Sequence, residues 1–125
     1  PGNAAATGLY VNSQDLRIYV TRSHADGTSP EINVYDVSRP DTPLLLGSTE
    51  FGNDIPTVFA ADNFAFIGTN VSNLDFQIFD STNPNNMPFV SGLNFPQYVN
   101  DMAFENNILY MVLRSNDALR SITSQ

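Results

Sequence analysis

The sequence has no cysteine, no lysine, no tryptophan and a single histidine, His24. Without cysteine there is no disulfide, no thiolate nucleophile and no cysteine-held zinc. The five basic residues are all arginine, at positions 17, 22, 39, 114 and 120, against 13 acids, so the formal net charge is −8. That sign repels phosphate backbones and disfavours nucleic acid as a partner. It repels anionic lipid headgroups too, and no apolar run approaches the roughly 18 residues that a membrane-spanning helix needs. The missing tryptophan removes the strongest aromatic platform for sugars and leaves 5 tyrosines and 9 phenylalanines. No glycine-rich phosphate loop is present, since Gly27 and Gly52 stand alone in turns. The expectation is a protein that is not an enzyme and holds no cofactor.

What is present is a repetition. Val34-Tyr35-Asp36-Val37-Ser38-Arg39-Pro40 is echoed by Ile78-Phe79-Asp80-Ser81-Thr82-Asn83-Pro84, at an offset of 44 (80 − 36). Leu16–Thr21 matches Phe64–Thr69 at offset 48, which matches Ile108–Leu113 at offset 44. These segments are short and rich in β-branched and aromatic residues, which reads as buried strand rather than helix. Each follows a weaker strand and a polar turn: Ser13-Gln14-Asp15, Ala61-Asp62-Asn63 and Glu105-Asn106-Asn107. Asn and Asp tolerate positive φ and suit such turns. In each of the first two units a third strand ends at Asp36 or Asp80. In it Ile32 and Val34, or Phe76 and Ile78, share a face by alternation. A fourth spans Pro43–Ser48 and Pro88–Leu93.

A period of about 40–45 residues carrying several short strands is the signature of a β-propeller blade. The predicted fold is all-β, built of antiparallel four-stranded blades. The first spans about 8–51, the second about 54–96, and a partial third about 98–125 with Ala118–Thr123 as an incomplete third strand. One blade cannot bury both faces, and two and a half blades leave open surfaces. The chain, which opens on Pro1-Gly2-Asn3, therefore reads as a fragment of a longer propeller or as a subunit of an oligomer.

The strand-Asp-x-x-x-Pro punctuation, with Pro43–Ser48 and Pro88–Leu93 following it, resembles the LVIVD repeat of bacterial and archaeal cell-surface propellers. The resemblance covers roughly residues 9–117 and departs from the pattern at Arg39 and in the third copy. It implies a propeller at the cell surface or outside the cell, with a binding or scaffolding role and no defined catalytic set.

Candidate site residues follow from the loops. Binding residues on a rigid β scaffold sit in its connections, here Arg22–Pro30 and Asn70–Asn73. These nominate Arg22, His24, Asp26, Asn70 and Asn73, with Tyr98 as the surface aromatic. Asn70, Ser72, Asn73 and Asp75 form the best oxygen-rich cluster for calcium, with Asp62 and Asn63 a second, although neither has the EF-hand pattern. Ser23, His24 and Asp26 are sequence neighbours, which do not make a triad, so His24 reads as a solvated loop histidine. Asp36 and Asp80 read as turn caps. Tyr19, Tyr35 and Tyr110 read as core. The expected partner is a protein or a surface glycan, with self-association or additional blades covering the open edges. The expected role is adhesion or assembly, with a polymerising filament or lattice subunit and a fragment of a propeller enzyme or lectin as alternatives.

Overall fold

The computed structural model describes residues 5–23, 29–114 and 119–123. Among the described residues there are eleven strands and no helix. The first sheet takes β1 (Ala6–Asn12), β2 (Arg17–Arg22), β3 (Ile32–Asp36) and β4 (Leu44–Thr49) in that order. The second takes β5 (Thr57–Ala61), β6 (Phe64–Gly68), β7 (Phe76–Asp80) and β8 (Phe89–Leu93). The third holds β9 (Val99–Glu105), β10 (Ile108–Leu113) and β11 (Leu119–Thr123). Every pairing is antiparallel and joins neighbours in sequence. The fold is therefore all-β and antiparallel, as the strand periodicity predicts.

Local chemistry sets the turns. Asp62 closes β5 to β6 with φ 51°, while Asn106 and Asn107 close β9 to β10 with φ 51° and 62°. These short polar side chains accept the left-handed region. The first hairpin differs: Leu16 takes it, with φ 56°. The Asn12 and Asp15 side chains brace that turn by accepting from the amides of Gln14 (3.1 Å) and Arg17 (3.2 Å). In the first two sheets a bulge falls at one ladder position, between Val34 and Tyr35 and between Ile78 and Phe79.

The turn at Leu16 corrects the alignment of β2 with β6. Offset 48 counts Leu16 as strand and equates Tyr19 with Ile67. The ladders pair Tyr10 with Tyr19 and Phe59 with Phe66, so Tyr19 corresponds to Phe66, at offset 47 (66 − 19). A slip of one residue moves every side chain to the other face. Tyr19 accordingly points into the space between sheets 1 and 2, and Phe66 into that between sheets 2 and 3.

Two cores result, one on each side of the second sheet. The first joins Tyr19, Ile32 and Val34 to Val58, Ala60, Ala65, Ile67 and Phe79. The second joins Phe59, Phe66, Phe76 and Ile78 to Val99, Met102, Leu109, Met111 and Leu113. Strand alternation divides β5 between them, Val58 and Ala60 one way and Phe59 the other. The first strands of successive sheets lie side by side, β5 touching both β1 and β9. The reading of Tyr110 as core is corrected by the same alternation. Leu109 and Met111 take the inward positions of β10, which leaves Tyr110 exposed on the outer face of sheet 3. Tyr19 is fully buried and Tyr35 half-buried.

Candidate functional site

The two repeated acids each hold a turn. The Asp36 Oδ1 accepts from the Ser38 amide at 2.7 Å, and the Asp80 Oδ1 from the Thr82 amide at 2.9 Å. The Asp36 carboxyl is held below its ordinary value chiefly by the Ser38 backbone bond, then by the Ser38 side chain. The Asp80 carboxyl is lowered by the Thr82 side chain first and its amide second. Both carboxylates are committed to their own strand ends.

The sequence reading takes Asp75 only as a calcium candidate and passes over Glu31, but the two form a second pair of repeated acids. Glu31 and Asp75 precede β3 and β7 by one residue, 44 positions apart (75 − 31), and both are buried. The Glu31 Oε2 accepts from the amides of Phe51 and Gly52 at 2.5 and 3.1 Å. The Asp75 Oδ2 accepts from the amide of Phe95 at 3.0 Å. Each acid ties the end of its sheet to the start of the crossing toward the next. The signal was available in sequence, because Phe51 and Phe95 are also 44 residues apart.

The loop residues nominated from sequence are partly brought together. Asn73, Ser72 and Asp75 line a shallow groove of about 290 Å³ with Tyr98 and the segment 94–97. Asn73 occupies the left-handed region, φ 71°. Asn70 turns away and donates from Nδ2 to Asp54 at 3.1 Å. Arg22 lies at the end of β2, its amide on the Glu31 carbonyl at 2.8 Å. Asp62 and Asn63 make the β5–β6 turn. His24 and Asp26 lie outside the described residues. Among the described residues no group of three or more His, Cys, Asp or Glu side chains converges as a metal site.

A larger concavity lies elsewhere, between the outer edges of sheets 1 and 2, with a volume of about 520 Å³. The buried side chains of Ile67, Gln77, Phe79 and Met87 line it, and the more exposed Asn53, Asn85 and Asn86 carry its rim. Phe51 and Phe79 meet edge to face, with centroids 4.6 Å apart, and Phe79 meets Phe89 at 5.8 Å. The amides are pre-set by neighbours. Gln77 donates from Nε2 to the Thr69 hydroxyl (3.3 Å) and the Leu74 carbonyl (3.1 Å). The Asn85 Oδ1 accepts from the Ser48 amide at 3.2 Å. Glu50 is the one ionisable side chain among the lining residues. Such a cleft offers neutral donors and acceptors over aromatic and aliphatic walls.

No protein-family model matches the chain, and no curated protein sequence matches it either. Among solved structures the fold is similar to that of the computationally designed Ika4 protein. The TM-score is 0.52 at 11% identity, over 100% of this chain and 94% of that one. At that identity the likeness concerns fold alone.

Proposed function

We propose that the protein is a non-catalytic interaction module of the cell surface or extracellular space, whose three sheets are blades of a propeller of the LVIVD-repeat kind. The observation that carries the binding reading is the cleft between sheets 1 and 2. A ligand pocket is concave, with placed polar groups that fix the ligand's orientation. Here Asn53, Gln77, Asn85 and Asn86 supply amides beside the phenylalanine walls. A single carboxylate, Glu50, gives no acid–base pair for chemistry of the usual kind. Neutral amides and ring faces match a neutral hydroxyl-rich ligand, so the proposed partner is a surface glycan. The acidic, lysine-free composition fits an extracellular setting.

Saturation-transfer NMR with neutral hexose and N-acetylhexosamine oligosaccharides tests the reading. Transfer that disappears in Gln77→Ala and Asn86→Ala is the expected result. Equal transfer in wild type and variants, or none in either, removes the glycan assignment.

A further inference from the structure

The three sheets use corresponding positions in the same way, and the two outermost faces keep those positions open. By the strand registers, Leu9, Ile18, Val20 and Tyr35 of sheet 1 correspond to Val58, Ala65, Ile67 and Phe79 of sheet 2. On sheet 2 that set is covered by sheet 1. On sheet 1 the same set forms an apolar groove of about 320 Å³, completed by Val37 and Pro43. The difference in exposure is large. Val58 and Ala60 are 5% and 2% exposed, whereas Leu9 and Val11, their counterparts, are 63% and 50% exposed. Pro84 is buried against β4, with its carbonyl accepting from the Thr49 hydroxyl at 2.7 Å, while Pro40, its counterpart, is exposed.

The opposite end of the molecule carries the complementary set. Tyr19 fills the position on sheet 1 that Phe66 fills on sheet 2 and Tyr110 fills on sheet 3, since they pair with Tyr10, Phe59 and Ala103 respectively. Tyr19 is packed with Val58, Ile67 and Phe79 in the first core, and its hydroxyl donates to the Ser81 Oγ at 3.3 Å. Phe66 packs in the second core. Among the described residues no further sheet covers Tyr110, which is 38% exposed, beside Val112 and Leu119, which are exposed too.

We infer that the outer face of sheet 1 docks the outer face of sheet 3 of a second copy of this chain, with Tyr110 of one copy seated over Leu9, Ile18, Val20 and Tyr35 of the other. The contact repeats, between chains, the packing that sheets 1 and 2 make within one. It is heterologous, because the two patches differ. None of the groove residues is charged, so Asp101 and Glu105, which share the sheet 3 face with Tyr110, meet no carboxylate in the groove. Two copies closing on each other hold six sheets, within the 4–8 that propellers use. The inference is independent of the cleft and of its ligand.

The test is sedimentation velocity of the wild type, of Val11→Asp and of Tyr110→Asp, alone and mixed, at about 100 µM, where even a weak micromolar contact is populated. The altered side chains are exposed, and circular dichroism checks that each variant keeps its strands. Leu9→Lys and Val112→Lys replace any variant that does not. Wild type is expected to assemble, and each variant alone to be monomeric, with affinity reduced by at least about 100-fold. The mixture regains one intact pair of faces and gives a one-to-one dimer. A monomeric wild type overturns the inference and assigns the face to another occupant. Assembly of either variant by itself overturns it too, since that requires a contact of like with like.

Discussion

Tyr10 and Phe59 meet edge to face, with ring centroids 4.8 Å apart and planes at 65°. They occupy the same position in successive first strands, β1 and β5, 49 residues apart (59 − 10). Phe59 also lies against Phe66 at 5.5 Å and stacks on Phe104 at 5.0 Å. One ring therefore touches aromatic partners from all three sheets. Phe59→Ala removes a buried ring in contact with each layer and is expected to cost about 3–5 kcal/mol. Tyr10→Ala costs less, because Tyr10 is only half-buried. Urea unfolding of both single variants and the double variant measures the coupling, expected at about 0.5–1.5 kcal/mol. Strict additivity would show that the ring contact contributes nothing beyond burial.

The buried acids Glu31 and Asp75 give a second expectation. Each accepts amide hydrogens from a segment leaving its sheet, Phe51 and Gly52 for Glu31 and Phe95 for Asp75. Truncation leaves those amides without that acceptor, at about 1–3 kcal/mol each. Glu31→Ala is expected to lower the urea midpoint more than Glu31→Gln, because the amide keeps one carbonyl acceptor. Equal losses for the two variants would mean that neither side-chain volume nor a neutral carbonyl acceptor contributes, and that the carboxylate charge does.

How much of this was legible in the sequence depends on the residue. The strands, their count and the division into three units follow from alternation and from the recurrence of Asp36 at Asp80, because period-2 patterns and turn residues are local properties. The face of each side chain was less legible. The apolar run places Leu16 in β2, although its backbone is left-handed, and nothing in a leucine announces that. That single residue reversed the correspondence of Tyr19. Tyr110 reads as core because a tyrosine in an apolar strand looks the same whether or not a further sheet covers it. The cleft could not be read at all, since Gln77, Asn53 and Asn86 are separated in sequence and meet only when sheet 2 packs on sheet 1.

The strand-end carboxylates predict a pH response. Asp36 and Asp80 both have folded pKa values below the ordinary 3.8. A group lowered on folding contributes stability that is present above the unfolded pKa and lost as pH falls through the folded one. Melting temperature is therefore expected to hold steady at neutral pH and to decline as pH drops below about 3.8. In the Asp36→Asn, Asp80→Asn double variant the decline should be shallower, because neither amide titrates. Both groups sit at the surface, so added salt should also reduce the difference. Identical acid limbs in wild type and double variant would assign acid sensitivity to other carboxylates.

Gly47 and Gly52 lie five residues apart and are expected to fail for opposite reasons. Gly47 is in β4, where a Cβ would stand 2.8 Å from both the Asn85 Oδ1 and the Pro84 Cβ. Strand β4 approaches the turn of sheet 2 that closely, and the Ser48 amide bond to Asn85 depends on it. Gly47→Ala must push that turn away, at about 1–3 kcal/mol, and it should also perturb the rim of the cleft, of which Asn85 is part. Gly52 has φ +72° and open space around its Cβ position. Gly52→Ala meets no atom and suffers only the left-handed backbone, at about 1–2 kcal/mol. Asparagine tolerates that region, so Gly52→Asn should recover much of the loss, while Gly47→Asn should be worse than Gly47→Ala. Urea midpoints of the four variants decide the matter. Recovery by asparagine at position 47 would show that β4 does not press on the Pro84 turn in solution.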